Sequence, residues 1–441
     1  MELPDRALVV GLGMTGVSLV KFLSQKGCKV TVTDAKPEEE LAPALAALDS
    51  TPFVGHFGNH ARQDFLSHPL VVLSPGVDSG LPLLADARKA GVKVIGEIEL
   101  AAAFIREPII AITGTNGKTT TTTLMGRLFE RAFGDVFVGG NIGNPLIEYV
   151  IGGRAARYLI CEISSFQLET IERFRPETAI LLNITADHLD RYPSFEAYVA
   201  AKWKVFENQT ADDYALLTRD LAPSSRLAAK TLFFSTRETL QEGAFMRGGE
   251  LVVRVGGQEF SYRRDLSPLV GIHNSENLLS VLLSAHLHGI DRDVIGEVIR
   301  DFKGLSHRVE FVREVGGVAF YNDSKATNVD ATLRALESMG SRVILIAGGK
   351  HKGGSYRVLE PALDRVAGLV LFGEAKEIIA GELGALVPTH VEKDMADAVT
   401  RAHSLARTGD TVLFSPMCSS FDMFRDYKDR GEKFRTLVEA L

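Results

Sequence analysis

The chain has 441 residues, of which 45% are hydrophobic and 24% charged, with a formal net charge of −7. That length exceeds one ordinary core and predicts roughly two to four globular domains. The acidic balance disfavours a general nucleic-acid binder, and no apolar run approaches the ~18 residues needed to cross a bilayer. Three widely separated cysteines, Cys28, Cys161 and Cys418, form neither a metal-spaced pair nor a disulfide framework. They read as buried or inert thiols in a reducing cytosol. The first residues, Glu2, Asp5 and Arg6 before a glycine turn, lack the basic start and unbroken apolar core of a signal peptide. The cytoplasm is therefore the expected location.

The first element is a short apolar run that enters "LVVGLGMTG", residues 8–16, where Gly11, Gly13 and Gly16 fit G-x-G-x-x-G. Such a turn lets the backbone and a helix N-terminus approach a pyrophosphate. Asp34 closes the next run, "KVTVTD", 18 residues after Gly16, where a dinucleotide-binding fold places its ribose acid. Taken locally, the pattern favours NAD. "LVVLSPG" and "VKVIGE" complete a first α/β unit, and "GEIELAAAFIREP" reads as a connection that Pro108 ends.

"PIIAITG", "YLICEIS" and "TAILLNI" read as strands of a second unit. "GVAFYND", "RVILIAGG", "GLVLFGE" and "DTVLFSP" read as strands of a third, entered through "IRDFKGLSHRVEF". Continuous apolar runs predict strands covered on both faces. Each run ends at a glycine, an acid or a small polar residue, where an open parallel sheet puts its ligands. We expect an α/β chain of three domains, 1–96, 97–304 and 305–441. The first is Rossmann-like and the second a P-loop mononucleotide-binding sheet.

The phosphate-loop expectation rests on "PIIAITGTNGKTTTTTLMGRLFE". A buried strand runs into Gly114, Thr115, Asn116, Gly117, Lys118, Thr119 and Thr120, followed by an amphipathic helix. Glycines let N–H groups wrap a phosphate, Lys118 would reach the outer phosphates, and Thr119 would hold Mg²⁺. The loop departs from G-x-x-x-x-G-K-[ST], because Ile112 stands where the first glycine belongs. Glu162 and the Asp187-His188 pair, each at a strand end, are carboxylate and imidazole candidates for divalent metal.

The motifs "GTNGKTT", "GGNIG", "EISSFQLE", "NITADHLDRY", "AAKWKVFEN", "GIHNSENLLSV", "GLSHRVEF", "NDSKATN" and "LFSPMCSSFDMFRDYKDRGEKF" occur in this order. Together they closely resemble the Mur ligases of bacterial peptidoglycan synthesis, from about residue 8 to the C-terminus. "SKATN" and "SSFDMF" look most like the members that add D-glutamate. The resemblance implies a Rossmann-like third domain. It also implies ATP-dependent amide synthesis through an acyl phosphate, between UDP-N-acetylmuramoyl-L-alanine and D-glutamate.

It implies residue roles as well. Lys118, Glu162, His188 and Lys202 would be catalytic. Lys202 would be carbamylated, and two Mg²⁺ sites would use Thr119, Glu162, His188 and that carbamate. By residue type alone Lys202 is an exposed helix lysine. Asn274 and Asn277 would meet adenine, although local reading makes N-capping equally good. Arg308 would reach the nucleotide phosphates and Asp323 the ribose, so that ATP bridges the second and third domains. Met14 and Thr15 would meet the diphosphate of the sugar nucleotide, Asp34, Ser74 and Gly76 the uracil, and Asn141 the sugar-phosphate region. Thr327 and Lys352 would take one carboxylate of D-glutamate, with Ser420 and the backbone near Phe421 and Tyr427 taking the other; Lys325 is a further cation in this group.

The chain departs from the family pattern at Ala35, which removes a hydroxyl from the uracil pocket, and at His351, where an acid is common. The resemblance turns the first glycine turn from NAD to a UDP-sugar. The partners expected are small molecules, without nucleic acid or membrane insertion, and the expected state is a monomer. Two alternatives stand beside this reading: another amide ligase with the same central domain, such as a different Mur ligase or a folylpolyglutamate synthase, and a nucleotide-gated binding protein.

Overall fold

The computed structural model describes residues 2–441 apart from Arg154, Leu189, Asp190, Ser224 and Ser341. Three sheets follow one another along the chain. The first contains β1 (Arg6–Val10), β2 (Lys29–Asp34), β3 (Val54–Phe57), β4 (Leu70–Leu73) and β5 (Lys93–Gly96), all paired in parallel in the order β3-β2-β1-β4-β5. The chain reverses direction across the sheet between β1 and β4. A parallel sheet opens a ligand crevice at such a point, beyond its carboxyl ends.

The second sheet contains β6 (Ile109–Thr113), β7 (Val136–Gly140), β8 (Tyr158–Glu162), β9 (Thr178–Leu181), β10 (Tyr214–Thr218), β11 (Lys230–Ser235), β12 (Gly243–Arg247), β13 (Glu250–Val255) and β14 (Gln258–Arg263). Their order is β14-β13-β12-β11-β10-β9-β6-β8-β7. Every residue of β6 is buried, as its unbroken apolar run requires of a strand with helices on both faces. The antiparallel β12-β13-β14 meander breaks the β/α alternation expected from the sequence. Its cause is local: Gly248-Gly249 and Gly256-Gly257, all at positive φ, make two two-residue turns of the kind that favours hairpins.

The third sheet contains β15 (Glu310–Val315), β16 (Val318–Asn322), β17 (Val343–Gly348), β18 (Val366–Phe372), β19 (Thr389–Val391) and β20 (Thr411–Phe414), in the order β15-β16-β20-β17-β18-β19. Only β15 is antiparallel to its neighbour.

Buried side chains of the first and second sheets join in one continuous core. Val9 and Leu19 belong to the same cluster as Ile98, Leu146 and Leu159. On the opposite face of the second sheet, the helix Lys118–Phe133 packs against the helix Ile272–Leu287 through Leu124, Leu128, Leu278 and Leu282. That packing fixes the phosphate loop beside the Asn274 and Asn277 side chains. All three cysteines are free and buried.

Candidate functional site

The second and third sheets converge on the loop after β6. Gly114 (φ +148°) and Gly117 (φ +86°) hold backbone conformations that L residues rarely adopt. A Cβ on Gly117 would also lie 2.3 Å from Asn277 Oδ1. The helix Lys118–Phe133 begins directly after this turn, so its first N–H groups open onto the loop.

Two lysines meet on one carbonyl. Lys118 Nζ donates to Gly114 O and Thr115 O, both at 2.9 Å, and Lys202 Nζ donates to Gly114 O at 2.8 Å. Lys202 is only 2% exposed, at the end of the helix Phe195–Trp203, with its ammonium 4.7 Å from the Tyr198 ring centroid. The reading of Lys202 as an exposed helix lysine is therefore wrong: the helix turns this residue into the sheet. Burial, and then the neighbouring Lys118 charge, push the Lys202 amine well below its ordinary range. Burial also lowers Lys118, although Glu162 and Asp187 pull it back up.

Acids face these cations. Glu162 ends β8; its Oε1 accepts from Asn141 Nδ2 at 2.9 Å, and its Oε2 is buried without a partner among the described residues. Asp187 accepts from Asn328 Nδ2 at 3.0 Å and pairs with Lys352 Nζ at 3.4 Å. Burial would raise the Asp187 pKa, but Lys352 and His188 outweigh it and hold the carboxyl below its usual range. His188 takes a positive φ of 56° and packs edge-on to Phe166 at 4.9 Å. Among the described residues no group of three or more His, Cys, Asp or Glu side chains has the arrangement of a metal site. A cation here would rest on a mixed set instead. The orphaned buried oxygen of Glu162, the Thr119 hydroxyl and the His188 ring line one cleft with Lys202. That donor set fits Mg²⁺ if Lys202 carries an anionic adduct.

Besides Asn328 and Lys352 on Asp187, residues around the third sheet reach into the second unit at the phosphate loop. Arg308 Nη2 donates to Thr119 Oγ1 at 2.7 Å, Asn116 Nδ2 donates to Asp330 Oδ2 at 2.7 Å, and Arg334 bridges Asp330 and Glu276. Asp330, Arg334 and Glu276 escaped the sequence reading. The Asn116–Asp330 pair spans 214 residues, and no local pattern announces it.

A cleft between these elements is lined by Asn116, Gly117, Thr120, Asn274, Asn277, Arg308 and Asp323. Neither asparagine caps its helix. Asn274 Nδ2 donates to Val270 O at 2.7 Å, and Asn277 Nδ2 donates to Asn274 Oδ1 at 3.2 Å. Asp323 accepts from Val309 N and Ser415 Oγ, and burial raises its pKa to about 7. Burial and then Arg308 bring Lys325 down to about 7. So many cations held out of water suit a polyanionic ligand.

Thr327 and Lys352 line the cleft that holds Lys118, Glu162 and Lys202. Ser420, Phe421 and Tyr427 do not line it. Ser420 is buried and its carbonyl accepts from Phe424 N, Phe421 is 69% exposed, and Tyr427 offers its ring to Lys325 Nζ at 4.0 Å. His351 Nδ1 pairs with the Tyr356 hydroxyl at 2.8 Å.

At the first sheet a cleft of 680 Å³ gathers Met14, Thr15, Asp34, Ser74, Gly76 and Asn141. The Asp34 carboxylate is engaged by backbone: Oδ2 accepts from Leu12 N at 2.7 Å and Oδ1 from Lys36 N at 2.9 Å. Ser74 Oγ donates to Gly11 O at 2.7 Å. Both side chains brace the glycine turn.

Three family models match the chain in succession: the MurD-like N-terminal domain over residues 5–96, the Mur ligase middle domain over 112–285, and the Mur ligase glutamate ligase domain over 307–418. The chain is 50% identical to the UDP-N-acetylmuramoylalanine--D-glutamate ligase of Geotalea daltonii, covering 99% of this chain and 97% of that one. The chain belongs to the Mur ligase family. This Mur ligase is also 44% identical to the protein of the same name from Acidobacterium capsulatum, over 100% of its own length and 97% of the other. Among solved structures, the Mur ligase resembles UDP-N-acetylmuramate-alanine ligase MurC of Thermotoga maritima (TM-score 0.61, 18% identity, 99% of each chain covered). It also resembles the MurF ligase of that organism in complex with ADP (TM-score 0.60, 17% identity, 84% and 95% covered). At these identities the structural likeness speaks for the fold. No described helix of this Mur ligase is long and apolar enough to cross a membrane.

Proposed function

We propose that this Mur ligase joins the carboxylate of UDP-N-acetylmuramoyl-L-alanine to the amine of D-glutamate, converting ATP to ADP and phosphate, in peptidoglycan precursor synthesis. The observation that carries the reading is near-full-length identity of 50% to a relative named for that activity. The enzyme is taken to act in the cytoplasm as a monomer on small molecules.

In this reading ATP lies between the second and third sheets. Adenine sits near Asn274 and Asn277, the ribose near Asp323, and the phosphates over the Gly114–Thr120 loop with Lys118 and Arg308. The UDP-sugar lies along the glycine turn, Met14, Thr15, Asp34, Ser74 and Gly76, and reaches the reaction centre past Asn141. Its carboxylate attacks the γ-phosphorus and forms an acyl phosphate, with ADP leaving. The D-glutamate amine then attacks the acyl carbon and phosphate leaves. A carboxylate and a triphosphate repel each other, so Lys118, Lys325, Arg308 and Lys352 lower the barrier by offsetting that charge.

D-glutamate would enter beside Thr327 and Lys352, with Ser420 and the backbone near Phe421 and Tyr427 behind it. Mg²⁺ would supply further charge neutralisation at two positions, drawing on Thr119, Glu162, His188 and Lys202. Lys202 would serve as its carbamate, an anion with carboxylate-like oxygens. A lysine buried against a second ammonium gains by exchanging its charge for a negative one.

The test is phosphate release from ATP with Mg²⁺, UDP-N-acetylmuramoyl-L-alanine and a panel of amino acids. Release with D-glutamate alone is expected. Equal release with L-glutamate or meso-diaminopimelate would overturn the assignment.

A further inference from the structure

The first-sheet cleft contains a side chain that the motifs leave without a role. His60 follows β3, the edge strand, and lines the cleft with Asp34, Ala35 and Leu41. Its ring is fixed on two sides. Nδ1 lies 2.9 Å from Thr33 Oγ1, and the Phe65 ring stands edge-on with centroids 5.9 Å apart. Thr33 is fully buried.

That burial favours one tautomer. If Nδ1 carried the proton and donated to Thr33, the threonine's own proton would have no acceptor among the described residues. A buried unsatisfied donor costs roughly 1–3 kcal/mol. With Thr33 donating and Nδ1 accepting, both atoms are satisfied. The proton of the neutral ring then sits on Nε2. Nε2 has no protein partner among the described residues and lies on the far side of the ring from Thr33. His60 lines the outer wall of the cleft, and its second ring nitrogen is left as an N–H donor for a ligand there.

We propose that His60 reads the base of the nucleotide sugar, its Nε2–H donating to the 4-carbonyl of uracil. The proposal rests on the reading of this cleft as the UDP-sugar site. The order of the strands supports the placement. The glycine turn after β1 takes the diphosphate, β2 ends next to it at Asp34, and β3 lies outermost. A nucleoside laid from β1 towards β3 brings its base to His60. The 4-position is where uracil and cytosine differ: uracil offers a carbonyl acceptor, cytosine an amino donor. A fixed donor pairs with the first and opposes the second. Ala35 contributes no hydroxyl here, so the chain supplies its base contact from the neighbouring strand's loop.

The experiment is calorimetric binding of UDP and CDP to the full chain. Wild type should bind UDP at least tenfold more tightly than CDP. His60→Phe keeps the ring packing against Phe65 and removes the donor. It should lose UDP affinity on the order of tenfold, the size of one hydrogen bond, with CDP unchanged and the KM for ATP unchanged. His60→Gln, whose amide can flip to suit either base, should keep UDP binding within a few-fold and lose the discrimination. If the phenylalanine variant does not fold, Thr33→Val combined with His60→Phe removes the hydroxyl that it would orphan. The ¹⁵N shifts of the wild-type imidazole should report protonation at Nε2, and a protonated Nδ1 would overturn the proposal. UDP preference that persists in both His60 variants would also overturn it. Absence of any UDP binding by wild type would instead overturn the reading of the cleft.

Discussion

Asn277 occupies the space that a side chain on Gly117 would need, its Oδ1 lying 2.3 Å from the position of a Cβ there. The Asn277 side chain of the helix Ile272–Leu287 thus packs directly on the backbone of the phosphate loop. Gly117→Ala should cost about 1–3 kcal/mol from the positive φ alone and push Asn277 out of the nucleotide cleft. Thermal melting and ATP binding would both show it. Adding Asn277→Ala should recover part of the stability and none of the ATP affinity. Strict additivity of the two changes would mean the residues do not touch.

Lys202→Ala removes the second ammonium on Gly114 O. Activity should fall on the order of a hundredfold or more. The melting temperature should stay within a few degrees, because Lys118 still donates to that carbonyl. Formate or acetate should restore part of the rate if the lysine works as a carbamate. An alanine variant at full rate would remove Lys202 from the mechanism.

Glu162→Gln is nearly isosteric and keeps an acceptor for Asn141. It also relieves a buried carboxylate with one oxygen unpaired. Stability should nonetheless fall modestly, because Lys118, Lys202 and Arg308 lose a facing charge, while the Mg²⁺ concentration needed for half-maximal rate increases and the maximal rate falls on the order of a hundredfold. An unchanged Mg²⁺ dependence would separate Glu162 from the metal.

Glu97 predicts a pH effect far from the catalytic cleft. It is 2% exposed, its Oε1 accepts from Ile147 N at 2.7 Å and its Oε2 is buried without a partner among the described residues. Burial raises its pKa from 4.5 to about 7, against the opposing N–H groups of Ile147 and Leu146. Between those values the folded chain holds a proton that the unfolded chain has released. This contribution is therefore complete below pH 4.5 and is lost as pH rises through about 7. Its ceiling is about 3 kcal/mol. Glu97→Gln should flatten the decline in unfolding free energy over that window, as read by urea titration at several pH values. An unaltered slope would show that Glu97 is ionised in the folded chain.

The parts of this fold legible in the sequence are those with a local cause. The run Ile109–Thr113 followed by Gly114 and Gly117 announces a buried strand and a phosphate loop, because strand, turn and helix start lie within a dozen residues. The β12–β14 meander was legible too, in its two Gly-Gly pairs, but the surrounding β/α rhythm masked it. Residue type alone leaves Lys202 on an exposed face because its helix has no clear apolar stripe, and only the family resemblance points it at the catalytic cleft. Asp330, Arg334 and Glu276 give no local signal, because Asp330 takes its meaning from Asn116, 214 residues away, and Arg334 from Glu276, 58 residues away. His60 gives no signal as a single histidine in a loop; its role emerges only when Thr33 is seen to be buried beneath it.

The hydroxyl of Thr119, a proposed Mg²⁺ ligand, already accepts from Arg308 of the third sheet. Under the proposed metal role, this one oxygen would serve both a cation and a guanidinium, and thermodynamic reciprocity would link the two. If the two compete for that oxygen, the factor by which metal binding weakens the Arg308–Thr119 contact equals the factor by which that contact weakens metal binding. In that proposal, metal binding and docking of the third domain become two sides of one exchange at a single atom.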